Sequence, residues 1–260
     1  AGEGETMTDI FRSSLLKRVP HGFPGRNGGV SSGAFTSLNL GRSTADQHEA
    51  VTENRRRVLE QFAADSGSVC LVHQVHGTRI IEAQPAGSGT PEQADALHSA
   101  DPELLLAVSF ADCQPILYFD PDSGAAAAAH CGWRGTVAGL AGKVVTVLSD
   151  TYGTDPARLL VALGPAICRD CYQVGPDVAG PFTEAGLGAA LRPDPGTPGR
   201  HRLDLTAANR SFLRAAGVPE SGIDDLRLCT SCRADNFYSH RRDAGTTGRH
   251  WGLIRPGRPH

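Results

Sequence analysis

Two imidazoles and a thiol stand at the ends of successive apolar runs. The segment FADCQPILYFDPDSGAAAAAHCGWRGTVAGLAGKVV carries Cys113 and, 17 positions on, His130; upstream, HQVHG carries His73 and His76. Catalytic zinc takes three protein ligands from nitrogen, sulfur and oxygen donors and keeps one position open. His76, Cys113 and His130 supply such a set, each where a strand gives way to a loop, which is where scaffolds gather functional groups. Long gaps between ligands make the spacing itself uninformative, and a lone buried His or Cys usually serves packing. His73 competes with His76: if a strand runs through both, they point to opposite faces, and Gly77 beside His76 lets backbone approach a ligand. Cys113 activated by His130 as a nucleophile remains open beside the metal reading.

Other groups point to anions. CGWRGT places Arg134 in a Gly-bounded turn ahead of a helix expected from Thr136 as N-cap. FYSHRRDAGTTGRHWG sets Arg241, Arg242, Asp243 and Arg249 among glycines, and guanidinium forks suit phosphate or carboxylate. In each case a solvated arginine is the plainer alternative. Cys168 with Cys171, and Cys229 with Cys232, form two CxxC pairs, but 57 residues lie between Cys171 and Cys229. Two such pairs suggest a shared structural zinc, but zinc ribbons prefer a gap of roughly 15–20, so packed thiols are the first expectation and the zinc the alternative.

These residues need a scaffold. The 260 residues, 40% hydrophobic and 20% charged, give an ordinary globular composition with an ample core. The net charge of −3 lacks the basic footprint of a nucleic-acid binder, and no apolar run approaches a bilayer span. No secretory signal is visible, so the cytoplasm is the expected compartment; Met7, the only methionine, reads as the natural start, with residues 1–6 as an expression remnant. Seven cysteines in a long chain suit reduced thiols rather than a disulfide scaffold. Short β-rich runs at 68–72, 78–83, 104–110, 115–120, 158–164 and 249–254 read as strands. Helices are expected over 45–62, with Asp46 as N-cap, and over 136–153, 176–186 and 205–217. Residues 192–202 read as a Pro/Gly loop, and the whole as one mixed α/β domain.

A zinc base-deaminase signature (His-x-Glu with Pro-Cys-x-x-Cys), GxGxxG and a Walker loop are all missing from the sequence. A blue-copper site would want an axial Met, and the single Met lies in the N-terminal segment.

Taken together, HQVHGTRI, ADCQPILYFD, HCGWRGT, LGPAICRDCYQVG and CTSCRADNFYSHRRDAGTTGR resemble the YfiH family, also called laccase-domain or polyphenol oxidase-like proteins. The resemblance implies an α+β domain over 21–255, after an N-terminal tail over 1–20, with α/β/β/α layers similar to the catalytic domain of cytotoxic necrotizing factors. It implies zinc held by His76, Cys113 and His130, with copper as the second choice. It makes Asn39, Arg55 and Gln74 pocket candidates and His73 a neighbour lining the pocket. The implied activity is phosphorolysis of adenosine, inosine, guanosine and methylthioadenosine (a transferase reaction) with adenosine deamination (a hydrolase reaction). Arg134, with Arg241 or Arg242, would hold phosphate. Copper-dependent phenol oxidation and hydrolytic editing of peptidoglycan precursors are the alternatives. The expected partners are purine nucleosides and phosphate, with neither nucleic acid nor membrane. The chain departs from relatives at AICRDCY, where adjacent cysteines before the Tyr are common, which weakens any special role for Cys168.

Overall fold

The structure is a computed structural model and describes residues 8–85 and 91–257; Met7 and the expected start lie outside them. In chain order the strands are β1 (Ile10–Phe11), β2 (His21–Pro24), β3 (Val69–Cys70), β4 (Ile80–Glu82), β5 (Ala96–Ser99), β6 (Leu105–Phe110), β7 (Gln114–Phe119), β8 (Ala126–Cys131), β9 (Leu160–Leu163), β10 (Gln173–Val174), β11 (Leu191–Pro193), β12 (His201–Leu203), β13 (Ile223–Asp225) and β14 (His250–Ile254). The helices are α1 (His48–Gln61), α2 (Trp133–Val137), α3 (Leu140–Tyr152), α4 (Pro176–Glu184) and α5 (Leu205–Ala215).

Two mixed sheets carry the fold, one ordered β1-β2-β14-β6-β3 and the other β13-β9-β7-β8-β5-β4. Their strands alternate, because successive side chains point to opposite faces. On β6, Leu106, Val108 and Phe110 face Leu117 and Phe119 of β7 and Ala126 and Ala128 of β8, forming the core between the sheets. The outward residues Leu105 and Ala107 pack with Trp251 and Leu253 under Val58, Leu59 and Phe62 of the α1 region. On the far side Ile116, Tyr118, Ala127 and Ala129 meet Leu140, Val144 and Leu148 of α3 and Leu213 of α5. The result is helix, sheet, sheet, helix in four layers. A small sheet β10-β12-β11 with α4 closes a satellite core against α2.

The six strand-like runs all contain strands at their centres. Differences arise at turns and in alanine. The run 124–130 is poor in strand formers, yet β8 is a fully buried central strand; methyl side chains let the facing layers close over it. Helix α1 is capped at Gln47, not Asp46, whose carboxylate is taken by Ser31 and Asn39. The helix expected over 136–153 begins earlier and is broken. Gly132 precedes α2, Thr136 lies inside it, and Gly139 in the left-handed region (φ +78°) separates it from α3. The ring of Phe212 would stand 3.3 Å from a Cβ at Gly139, so the break also makes room for α5. The Pro/Gly segment 192–202 is a hairpin tip, with β11 and β12 as its arms. Ile10–Phe11 pairs with β2, while Leu16 and Val19 are buried in the inter-sheet core.

Leu148 is wholly buried between α3 and the six-stranded sheet. Leu148→Ala should cost about 2–5 kcal/mol in chemical denaturation, the usual range for a core cavity, with metal content per folded chain unchanged.

Candidate metal centre and its cavity

Three segments distant in sequence bring His76, Cys113 and His130 together, with one donor atom of each within 4.8 Å of the others. His130 is near the end of β8, Cys113 sits in the β6–β7 turn, and His76 lies in the loop between β3 and β4. Gly132 leaves the space: a Cβ there would stand 2.8 Å from His76 Cδ2 and 3.1 Å from Cys113 Sγ.

Two residues that form the site have left-handed backbone, His76 (φ +60°) and Asp112 (φ +85°). Such positions cost about 1–3 kcal/mol each and persist where surroundings over-determine them. Asp95 does this for His76. It is completely buried, and its carboxylate accepts the backbone N–H groups of Val75 (3.2 Å), His76 (3.0 Å) and Gly77 (2.6 Å). The same carboxylate lies 2.9 Å from His130 Nδ1. An ionised carboxylate only accepts, so Nδ1 carries the proton and Nε2 is left as the donor atom. Asp112 is fixed in turn by Thr230 Oγ1 (2.6 Å) and by the backbone N–H of Arg241 (2.6 Å).

Electrostatics follow from this packing. Burial alone would push the Cys113 thiol up, but the charges and hydrogen bonds of His130 and His76 override it and bring the thiol down to about 6. Burial works against imidazolium at His130, yet the Cys113 thiolate and Asp95 raise it to about 9. Without metal both shifts favour the thiolate and imidazolium forms of the pair. Cys131, next in the chain, is wholly buried and its thiol is driven well up by desolvation. It is packing, not a ligand.

The three donors open on a cavity of about 1480 Å³ that also meets Arg42, Arg55, His73, Gln74, His240 and Arg249. Arg55 stacks on Trp251 (4.6 Å) and donates to Leu40 O. Burial, then the neighbouring Arg42 charge, lowers its pKa to about 10. Arg249 is lowered by burial, partly offset by Cys113 and Asp112. Among the described residues, none of Arg42, Arg55 and Arg249 has a carboxylate salt-bridge partner. Gln74 spends its amide on the Ser109 backbone, accepting from N–H (2.6 Å) and donating to C=O (2.7 Å).

The other expected site residues are placed differently. Asn39 is buried and supports the cavity loop, accepting from Gly41 N–H and Arg249 N–H. Arg242 is occupied by Asp243 and by the carbonyls of Thr230, Ser231 and Phe237. Arg241 donates to Gln173 O and stacks over Tyr172, while Arg134 stacks over Trp133. None of these four lines the cavity. Sequence reasoning missed Asp95, Arg42 and His240. Only Asp95 left a signal, an acid at the mouth of the apolar run ALHS, and a single acid at a strand start is common.

A family model described as multi-copper polyphenol oxidoreductase laccase matches residues 20–256. The chain belongs to this laccase-domain (YfiH) family. Within it, a purine nucleoside phosphorylase of Deinococcus radiodurans is 41% identical over 237 residues, covering 91% of this chain and 88% of that protein. Adenosine deaminase RL5, from an unknown prokaryotic organism, is 33% identical, covering 83% of this chain and 86% of that protein. The solved structure of YfiH from Bacillus licheniformis superposes with a TM-score of 0.91 at 32% identity, covering 97% of this chain and 98% of that one. The laccase-domain match thus spans all three donors and every strand of the two large sheets except β1.

Two outcomes test the geometry. In metal-stripped protein, alkylation of Cys113 by iodoacetamide, followed by peptide mass spectrometry, should be fast above pH ~6 and fall as the pH drops through that value. Cys131 should stay unreactive throughout. Asp95→Asn should weaken metal binding by roughly 10–100-fold in a chelator competition, because an amide cannot serve both His130 and the His76 loop.

Proposed function

We propose that this protein is a zinc-dependent purine nucleoside phosphorylase that also deaminates adenosine. One observation carries the reading: a two-nitrogen, one-sulfur donor set opens on a cavity holding arginines that, among the described residues, lack carboxylate partners. The relatives' names support its phosphorylase and deaminase parts. The donor set fits zinc, since imidazole and thiolate are both zinc ligands and the Asp95–His130 pair is the carboxylate–histidine arrangement that orients a ligating ring. When bound, the ion supplies Lewis acidity, polarising substrate atoms and lowering the pKa of a water.

The chain's own residues do the rest. Phosphorolysis breaks the N9–C1′ bond, forms a phosphate O–C1′ bond and leaves the proton on the purine. Arg42, Arg55 and Arg249 are proposed to bind phosphate, whose charge would offset the burial and the Arg42 repulsion that lower Arg55. Arg241, stacked over Tyr172, and Arg134 are proposed to steady the nucleoside from the Tyr172 side, where both charges oppose the upward push of burial on the phenol. Gln74 shapes the wall and His73 lines it. Deamination needs the donor triad and a water but no phosphate, so the two reactions share His76, Cys113 and His130 and diverge at the arginines.

Inosine with phosphate should yield hypoxanthine and ribose-1-phosphate; without phosphate it should yield neither. Cys113→Ala should abolish both phosphorolysis and the conversion of adenosine to inosine. Arg42→Ala should raise the phosphate KM roughly tenfold and leave deamination unchanged, as expected for one lost charge-assisted contact. Elemental analysis should find zinc and negligible copper. Copper with phenol oxidation would instead establish the oxidase that the family description suggests.

A further inference from the structure

The two CxxC pairs converge in space. Cys168, Cys171, Cys229 and Cys232 place their four sulfurs within 4.8 Å of one another. Cys232 Sγ lies 3.4 Å from Cys171 Sγ and 3.9 Å from Cys168 Sγ. A tetrahedral zinc with bonds of about 2.3 Å sets its sulfurs about 3.8 Å apart, which matches this spacing. Backbone N–H groups of Cys168 and Cys232, each at 3.3 Å, both point at Cys229 Sγ, an arrangement that favours thiolate. All four are free thiols. Cysteine used for packing is buried, as Cys70 and Cys131 are, whereas Cys232 is exposed and Cys168 and Cys171 half-buried.

From this cluster we infer that the protein holds a second zinc, bound by the thiolates of Cys168, Cys171, Cys229 and Cys232. Four sulfurs leave no open position, so this ion is structural. Long separation in sequence is overcome by the fold. Leu228 O accepts Ala166 N–H and Ala166 O accepts Thr230 N–H, so the two segments already run side by side. The zinc ties this seam, and the seam supports the cavity. Thr230, beside Cys229, donates to Asp112, and Ile167, beside Cys168, donates its N–H to Asp112 O. Asp112 in turn precedes Cys113 in its left-handed turn. The inference does not rest on the proposed nucleoside activity, because it concerns different ligands and is read by metal content.

The test is metal analysis of the full chain, purified under reducing conditions. Wild type should hold about two zinc per chain, Cys113→Ala about one, and Cys232→Ser about one with a lowered melting temperature. Cys232 is the exposed member, so its replacement perturbs packing least. If Cys232→Ser fails to fold, cobalt-loaded Cys113→Ala provides the reading: intense visible bands and sulfur-to-cobalt charge transfer, typical of a tetrahedral tetrathiolate, support the site. One zinc in wild type that disappears in Cys113→Ala overturns it. So do iron in place of zinc, disulfides among the four cysteines, or cobalt-loaded Cys113→Ala without thiolate bands.

Discussion

The site depends on one buried carboxylate. Asp95 stands at the entrance to β5 with no exposure to water, and it accepts three consecutive backbone N–H groups from the 75–77 loop and the Nδ1–H of His130. A lone buried carboxylate would cost several kcal/mol or take up a proton. Here the four donors more than offset desolvation and keep its pKa below the usual carboxylate range. The main chain completes the tie, since His130 N–H donates to Asp95 O at 2.7 Å. Removing this one group would free the strained loop that presents His76 and leave His130 without a fixed tautomer. Two of the three donors therefore share a single anchor, although 54 residues separate them in the chain.

The third donor is held by different means. Cys113 follows Asp112, whose left-handed backbone is fixed by Thr230, Arg241 and Ile167. All three partners belong to the later part of the chain, whereas Asp95 and the histidines belong to the earlier part. The metal centre thus lies at a junction between two sets of supports, and each set must form before the thiolate and imidazoles converge. The proposed tetrathiolate zinc would act on the second set only. It would steady the thiolate's turn without touching either histidine.

What the sequence disclosed divides along physical lines. The strands with β-branched and aromatic residues were legible, because period-two burial and turn residues are local signals. The alanine strand β8 was not, because its place in the sheet is decided by the layers packed on it. The triad could be named from residue types and family resemblance, yet its convergence could not be derived from spacing. Asp95 stayed hidden, since nothing local distinguishes an acid that will accept four hydrogen bonds from one that will face water. Arginines were the hardest class. Arg242 and Arg55 look alike in sequence, but one is satisfied by Asp243 and three carbonyls while the other stands in a cavity beside Arg42. The distinction lies in tertiary partners, which a single sequence does not carry. The convergence of the two CxxC pairs was hidden for the same reason: ribbon spacing presumes a local knuckle, whereas β-bridge pairing at Ala166 and Cys229 brings remote pairs together.

Arginine placement also bears on which chemistry the cavity suits. A phenol oxidase needs a neutral aromatic substrate beside a redox metal, and such a guest would offer partly desolvated guanidinium groups a cation–π contact but no neutralising charge. Arg55 is lowered by burial and by its neighbour Arg42, so the cavity carries a standing electrostatic penalty. The proposed phosphate dianion would remove that penalty, and in a site of low effective dielectric the gain would exceed what the same pair would give in water. The thiolate of Cys113 works the other way, repelling an anion unless its charge is offset. A cation held by Cys113, His76 and His130 would provide that offset. Metal and phosphate are then expected to bind cooperatively, because each lowers the cost of the other's charge.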